Sequence, residues 1–413
     1  MKARRRPGPP RVCVIRQGFY PLDPRVGREV LAMEGAGYEV DVICLRRPDE
    51  ERTERIGSVC VHRVSIASRG SGRARYLFEY AGFMLASAFL AARLHLKRRF
   101  DLVQVNSMPD TLVFAAIVPK LLGARVLLDL HECMPEFYAV KYGVGMRHPA
   151  VRLVGWLEQA AIRFADAAIT CTDQMREAFE SRGAAVSRIG VVMNSANEDV
   201  FDPDGQSASS SADGEFRLIC HGSIEQRYGI DTIVRAVARL RDRIPGLRLA
   251  IYGEGSALDE VRALISSLQV EDRVYVSGGF VPMRELLRAM VEADAGVVAV
   301  RRDIFRDLTH CNKMFDFITM RKPAIVSRTR SVEAYFDDSC FEMFTSGDDA
   351  DLARAIDELY RNPDLRVRLV REALRANEPY RWPHQRALYL GIVDRLAVTR
   401  TGDPAAATRA AGA

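Results

Sequence analysis

Short apolar runs alternate with helix-period stretches along nearly the whole chain. The runs Val12–Ile15, Val40–Leu45, Val59–Val64, Leu102–Val105, Val126–Leu130, Ala167–Cys171 and Ile189–Met193 read as strands of one sheet. A second series follows at Arg217–Cys220, Leu247–Tyr252, Val274–Gly278, Gly296–Val300, Pro323–Ser327 and Phe341–Phe344. Strands separated by helical segments predict two parallel sheets with crossover helices, an α/β architecture. Between the series lies DGQSASSSADGE, whose Ser, Gly, Ala and Asp content predicts a flexible linker at 204–215.

At 413 residues the chain exceeds one ordinary core, so two domains are expected, 11–203 and 216–378. A basic disordered arm is expected at 1–10 and a disordered tail at 399–413. The last amphipathic segment, 379–398, predicts a helix started near Pro383. Open α/β sheets bind ligands beyond the carboxyl ends of their strands, which places the expected site in an interdomain cleft. One stretch stands apart: Tyr80–Ala92 is uncharged yet too short to span a bilayer, and basic residues flank it from Arg73 to Arg99. It reads either as a buried helix or as an interfacial one with its arginines toward anionic headgroups.

The net charge of +5 is small for this length, and the arginines are scattered, which predicts a solvated basic surface and no nucleic-acid partner. None of the eight cysteines forms a C-x-x-C pair, so structural zinc and thioredoxin-like chemistry are not expected. Cysteines within apolar runs, and no long apolar run after MKARRRPGPP, lead us to expect a reduced, cytoplasmic protein.

The chemistry-bearing residues fall in strand-end loops. RQGFYPLDPRVGREV after the first strand offers Gly18 for a turn and Asp23 as an N-cap before Pro24. LLDLHECMPEFY runs from a strand into Asp129, His131, Glu132 and Glu136. HGSIEQRYGIDTIVRAV opens the second series with Gly222 and Ser223, where backbone amides suit a phosphate and Arg227 a bidentate partner. IYGEGS supplies Gly253 and Gly255 but lacks the third glycine of a dinucleotide fingerprint, a weak signal for NAD. SGGFVP ends a strand whose backbone suits a base. In the stretch Arg301–Ser327, Lys313 and Asp316 share one helix face, a cation for a diphosphate and a carboxylate for sugar hydroxyls.

Taken in order, YPLDPRV, LLDLHECMPEFY, VVMNSANEDVF, HGSIEQRYGIDTIVRAV, LRLAIYGEGS, VYVSGGFVP and NKMFDFITMRKPAIVS resemble family 4 of the retaining glycosyltransferases, from about Val12 to about Ala397. The resemblance implies the GT-B fold, two facing Rossmann-like domains, with the last helix crossing back to the first domain. It implies a retaining, metal-independent transfer from a nucleotide-diphosphate sugar, the co-substrate, with no cofactor. His131, Arg227 and Lys313 are the implied catalytic residues. The implied donor side comprises Gly18, Gly222, Ser223, Arg227 and Gly253. It continues with Phe280 and Val281 at the base, then Thr309, Asn312, Lys313 and Asp316, the last taking the place of the second glutamate of E-x7-E. Asp23, Arg25, Asn106 and Glu132 are assigned to the acceptor side. Leu308 stands where the motif has its first glutamate, and Ser223 where an arginine is common; Asp307 and Lys313 are the candidate substitutes. The D-x-D at Asp202–Asp204, beside the linker and flanking a proline, is discounted as a metal signature. The expected partners are a nucleotide sugar, a sugar or lipid-linked acceptor for polysaccharide synthesis, and a membrane surface on its inner face through Arg73–Arg99. The competing readings are a non-catalytic nucleotide-sugar or glycan-binding protein and a nucleotide-sugar epimerase.

Overall fold

A computed structural model describes residues 8–66, 72–204 and 214–398. The basic arm through residue 7, most of the expected linker and the expected tail lie outside the described residues, as do the side chains of Arg73 and Arg75. The chain divides into two compact units, Met1–Met193 with Pro383–Ala413, and Asn194–Trp382. The first boundary therefore falls at Met193, ahead of residue 203.

The first unit holds β1 (Arg11–Arg16), β2 (Glu39–Leu45), β3 (Thr53–Ile56), β4 (Val59–Val64), β5 (Leu102–Asn106), β6 (Arg125–Leu130), β7 (Ala167–Thr170) and β8 (Ile189–Val191) in the order β3-β4-β2-β1-β5-β6-β7-β8. All neighbours pair in parallel except β3 with β4. Val12–Ile15 and Val126–Leu130 are buried on both faces, which is why these strands read as continuous apolar runs. The helix α1 (Pro24–Gly35) starts with proline, and Asp23 caps it, accepting from the amides of Arg25 and Val26. Then come α2 (Gly72–Arg98), α3 (Ile117–Leu121), α4 (Met134–Tyr142) and α5 (Pro149–Phe164). The C-terminal helix Trp382–Val398 packs on this same unit: Tyr389 is fully buried and donates to Gln104 Oε1 at 2.7 Å, and Gln385 Oε1 accepts from Met193 N at 2.7 Å.

The second unit holds β9 (Phe216–His221), β10 (Leu247–Tyr252), β11 (Val274–Val276), β12 (Ala295–Val298), β13 (Ala324–Ser327) and β14 (Glu342–Phe344), all parallel, in the order β11-β10-β9-β12-β13-β14. Its core gathers Leu218, Leu249, Ile251 and Val297 from the sheet with Ile233 and Val237 of the helix Ile230–Leu240. Asp204, at the edge of the expected linker, is held by both Nη atoms of Arg321 at 2.9 and 2.8 Å.

Candidate active site

In the first unit, register brings Arg16, Asn106 and Asp129 side by side at the carboxyl ends of β1, β5 and β6. Asp129 is fully buried. Arg25, on the first turn of α1, grips it with Nε to Oδ2 at 2.9 Å and Nη2 to Oδ1 at 2.6 Å. His131 Nε2 lies 2.9 Å from Asp129 Oδ2, and His131 N donates to Ser107 Oγ at 3.0 Å. Asn106 Nδ2 donates to the same Asp129 oxygen at 2.8 Å. One layer deeper, Glu29 Oε2 accepts from Gln104 Nε2 at 2.7 Å and Asn106 Nδ2 at 3.2 Å.

The charges here sort by distance. Arg25 gives both short bonds to Asp129 and only a 3.4 Å contact to Glu29. Burial alone would raise the Asp129 carboxyl, but the Arg25 guanidinium and then His131 hold it well below the usual carboxylate range. Burial, followed by the Asp129 charge, pushes the Glu29 carboxyl well above that range, against the pull of Arg25. Burial also pushes the His131 imidazole below its ordinary value, against the pull of Asp129. A neutral imidazole donating Nε2–H to an ionised Asp129 leaves Nδ1 as the free lone pair.

Arg25 and Asn106, expected to meet an acceptor, are instead buried and engaged in this network. Asp23 accepts from Arg16 Nε at 2.9 Å besides capping α1. Gly18 takes no left-handed conformation; its carbonyl accepts from Leu45 N at 2.9 Å, tying the β1 loop to β2. Glu132 is half-buried at the entry to α4.

In the second unit β9 ends at His221, and the chain turns at Gly222 with φ +95°. The Lys313 side chain lies across that turn: a Cβ on residue 222 would meet Lys313 Cε at 2.6 Å and Nζ at 3.1 Å. The lysine thus lies against the turn at Gly222. Lys313 Nζ stands 4.2 Å from the Tyr228 ring centroid, the Arg227 guanidinium 5.2 Å from it and the Arg306 guanidinium 5.3 Å. None of these three cations has a carboxylate ion pair among the described residues. Like charges gathered with no direct ion pair raise the local potential and favour an anion. Arg306 carried no sequence signal beyond lying in the same loop as Lys313.

Asp316, one turn beyond Lys313, faces His221 at 3.6 Å. Burial and then Lys313 push His221 down to about 3, while burial, opposed by Lys313, pushes Asp316 up to about 7. The contact is therefore a neutral imidazole against a carboxyl that titrates near neutrality, not an ion pair. Thr309 is buried with its Oγ1 unsatisfied, and Asn312 is exposed at the start of the helix Lys313–Thr319. Phe280 is 88% exposed beyond β11, next to half-buried Val281.

Two further expected residues make close contacts within the chain. Gly253 lets its own chain approach: at φ +149° a Cβ there would sit 1.9 Å from the Gly222 carbonyl oxygen. Gly253→Ala is expected to lower stability by about 1–3 kcal/mol, read from the denaturant midpoint, because backbone must move. Asp307, a candidate substitute for the glutamate missing at Leu308, is engaged by Arg302 Nε at 2.9 Å and Arg330 N at 2.8 Å. Leu308 itself is buried.

Two parallel-sheet α/β units of this build define the GT-B class of glycosyltransferases. Residues 22–195 match the model of the glycosyl transferase 4-like domain and residues 215–362 that of glycosyl transferases group 1, so the chain belongs to this glycosyltransferase family. It is 23% identical over 357 residues, 83% of this chain and 90% of the relative, to the alpha-D-kanosaminyltransferase of Streptomyces kanamyceticus. An 84-residue stretch, 20% of this chain and 22% of the relative, is 32% identical to the GDP-mannose-dependent alpha-(1-6)-phosphatidylinositol monomannoside mannosyltransferase of Mycolicibacterium smegmatis. Among solved structures, the sucrose-phosphate synthase of Thermosynechococcus elongatus superposes with TM-score 0.72 at 19% identity, covering 95% of this chain and 100% of that one. Anabaena HepE in complex with UDP-glucose gives 0.68 at 13% identity, covering 93% and 99%.

Proposed function

We propose that this glycosyltransferase moves a sugar from a nucleotide diphosphate to a hydroxyl acceptor with retention and without a metal. The observation that carries the donor is the cluster of Lys313, Arg227 and Arg306 around Tyr228, which suits a diphosphate. As the glycosidic bond breaks, negative charge grows on the leaving phosphate, and these cations stabilise it where a metal would otherwise serve. The leaving phosphate oxygen takes the acceptor hydroxyl's proton on the face it departs from, which retains configuration. His131, oriented by Asp129 and kept neutral, positions the transferred sugar through its free Nδ1. Asp316 accepts from the ribose hydroxyls, and exposed Phe280 stacks on the base. The acceptor we favour is a lipid-linked glycan precursor; the mannosyltransferase relative is named for a phosphatidylinositol acceptor.

The test is release of nucleoside diphosphate from a panel of nucleotide sugars, with and without membrane lipid extract and with and without chelator. The expected result is release with one donor, faster with the extract and unchanged by chelator. The buried Leu308, in place of a sugar-binding glutamate, favours a second reading, a non-catalytic binder. Thermal stabilisation by a nucleotide sugar without any diphosphate release would establish that reading instead.

Asp316 makes a separate prediction. Its ionised form accepts two hydroxyls and its protonated form one fewer, so donor binding tightens severalfold as pH rises through about 7. Asp316→Asn abolishes this dependence, and Asp316→Ala weakens binding by about 1–3 kcal/mol at high pH, both measured by calorimetric titration.

A further inference from the structure

We propose that the outer face of one helix layer of the first unit docks on an anionic lipid bilayer. This extends the lipid-linked acceptor proposed above but stands on its own observations. The crossovers β4 to β5, β5 to β6 and β6 to β7 all step the same way along the sheet, so right-handed connections place α2, α3 and α5 on one face. The helix α2 is apolar on both sides. Phe83 and Ala91 face the sheet fully buried, yet Phe78, Leu85, Phe89 and Leu96 form a line on the opposite side. Phe78 is 74% and Phe89 72% exposed, and the line runs about 27 Å at helical rise. A helix apolar all round is ordinarily covered on all sides.

The adjoining helix α3 continues the surface with Ile117 and with Leu121, which is 80% exposed. The α4–α5 hairpin adds Met146, Leu153 and Trp156. Half of the large hydrophobic side chains exposed among the described residues lie between Phe78 and Trp156. That clustering exceeds ordinary surface scatter.

Charge selects the occupant. From Phe78, where the line begins, to Phe100 there are four cations and one acid, Glu79, and from Phe137 to Leu157 there are Lys141, Arg147 and Arg152 and no acid. Arg98 pairs inward with Asp41, while Arg93, Lys97 and Arg99 are exposed. Apolar side chains flanked by cations at the end of α2 and along the α4–α5 hairpin, with an exposed tryptophan, match the acyl and headgroup layers of an anionic leaflet. A second copy of this face would oppose like charges, and a nucleic acid would meet an apolar centre. No described helix is long and apolar enough to cross a membrane. The hairpin begins three residues after His131, so a bilayer on this face brings a lipid-borne hydroxyl to the imidazole's end of the sheet.

The test is co-sedimentation of the full chain, without nucleotide sugar, on vesicles of phosphatidylcholine alone or mixed with phosphatidylglycerol. The expected result is pelleting with the mixed vesicles, weakened by salt. Phe89→Ser and Leu121→Ser each weaken it about tenfold or more, as burial of a large apolar side chain is lost. Arg93→Ala and Lys97→Ala each weaken it about fivefold. All four keep the wild-type melting midpoint and donor-induced thermal shift, so a catalytic failure reads separately. The proposal is overturned by equal partition with and without phosphatidylglycerol, by no pelleting at all, or by pelleting that Phe89→Ser and Leu121→Ser leave unchanged. Self-association that Phe89→Ser abolishes, without vesicle binding, would assign the face to a second copy.

Discussion

Lys313→Ala lowers kcat/KM about 100-fold while leaving the protein at least as stable as wild type. Removing one pre-organised charge donor from a developing oxyanion typically costs that much. Stability holds because Lys313 has no ion-pair partner to lose and stands among two other cations near Tyr228. Lys313→Arg is expected to recover part of the rate, since the longer guanidinium still lies over the open space of Gly222. A variant that loses rate and melting temperature together would mark Lys313 as structural and remove the basis of the diphosphate site.

The second large effect is the reverse, a stability loss that carries activity with it. Arg25→Ala strips the fully buried Asp129 of its bidentate partner and is expected to cost about 3–5 kcal/mol in chemical denaturation. That is a large part of the roughly 5–15 kcal/mol a folded protein has. Pairing Arg25→Met with Asp129→Asn removes both charges and restores most of the stability. It does not restore the rate, because an amide no longer holds the His131 proton on Nε2. If the double variant regains full activity, the Asp129–His131 contact has no part in catalysis.

Most strands showed in the sequence because they are parallel and the central ones, such as β1, β6, β12 and β13, are buried on both faces; Val59–Val64 and Leu247–Tyr252 match their predicted spans. The edge strand β3, Thr53–Ile56, did not show, because an exposed antiparallel edge has no apolar run to announce it. Of the candidate site, Gly222, Arg227, Lys313 and Asp316 assemble at one sheet's carboxyl edge, where a β9 turn and a short helix carry them. Arg25, Asn106 and Gly253 all have close partners within the chain that the sequence did not announce. Polar groups and glycines at strand ends look the same in sequence whether they meet a ligand or each other, and only packing distinguishes them. The apolar stretch Tyr80–Ala92 supported two readings because α2 has two apolar sides, one against the sheet and one outward.

The hydrogen bond from Met193 N to Gln385 Oε1 has a consequence for engineering. The chain leaves the first unit and re-enters it at neighbouring points, so Asn194–Trp382 behaves as a cassette whose ends meet. Splicing Met193 to Pro383 through a short loop yields the first unit as a separate protein that keeps Tyr389 under Gln104. Grafting another family member's cassette between the same two residues exchanges the second unit whole and leaves the Asp129–His131 pair untouched.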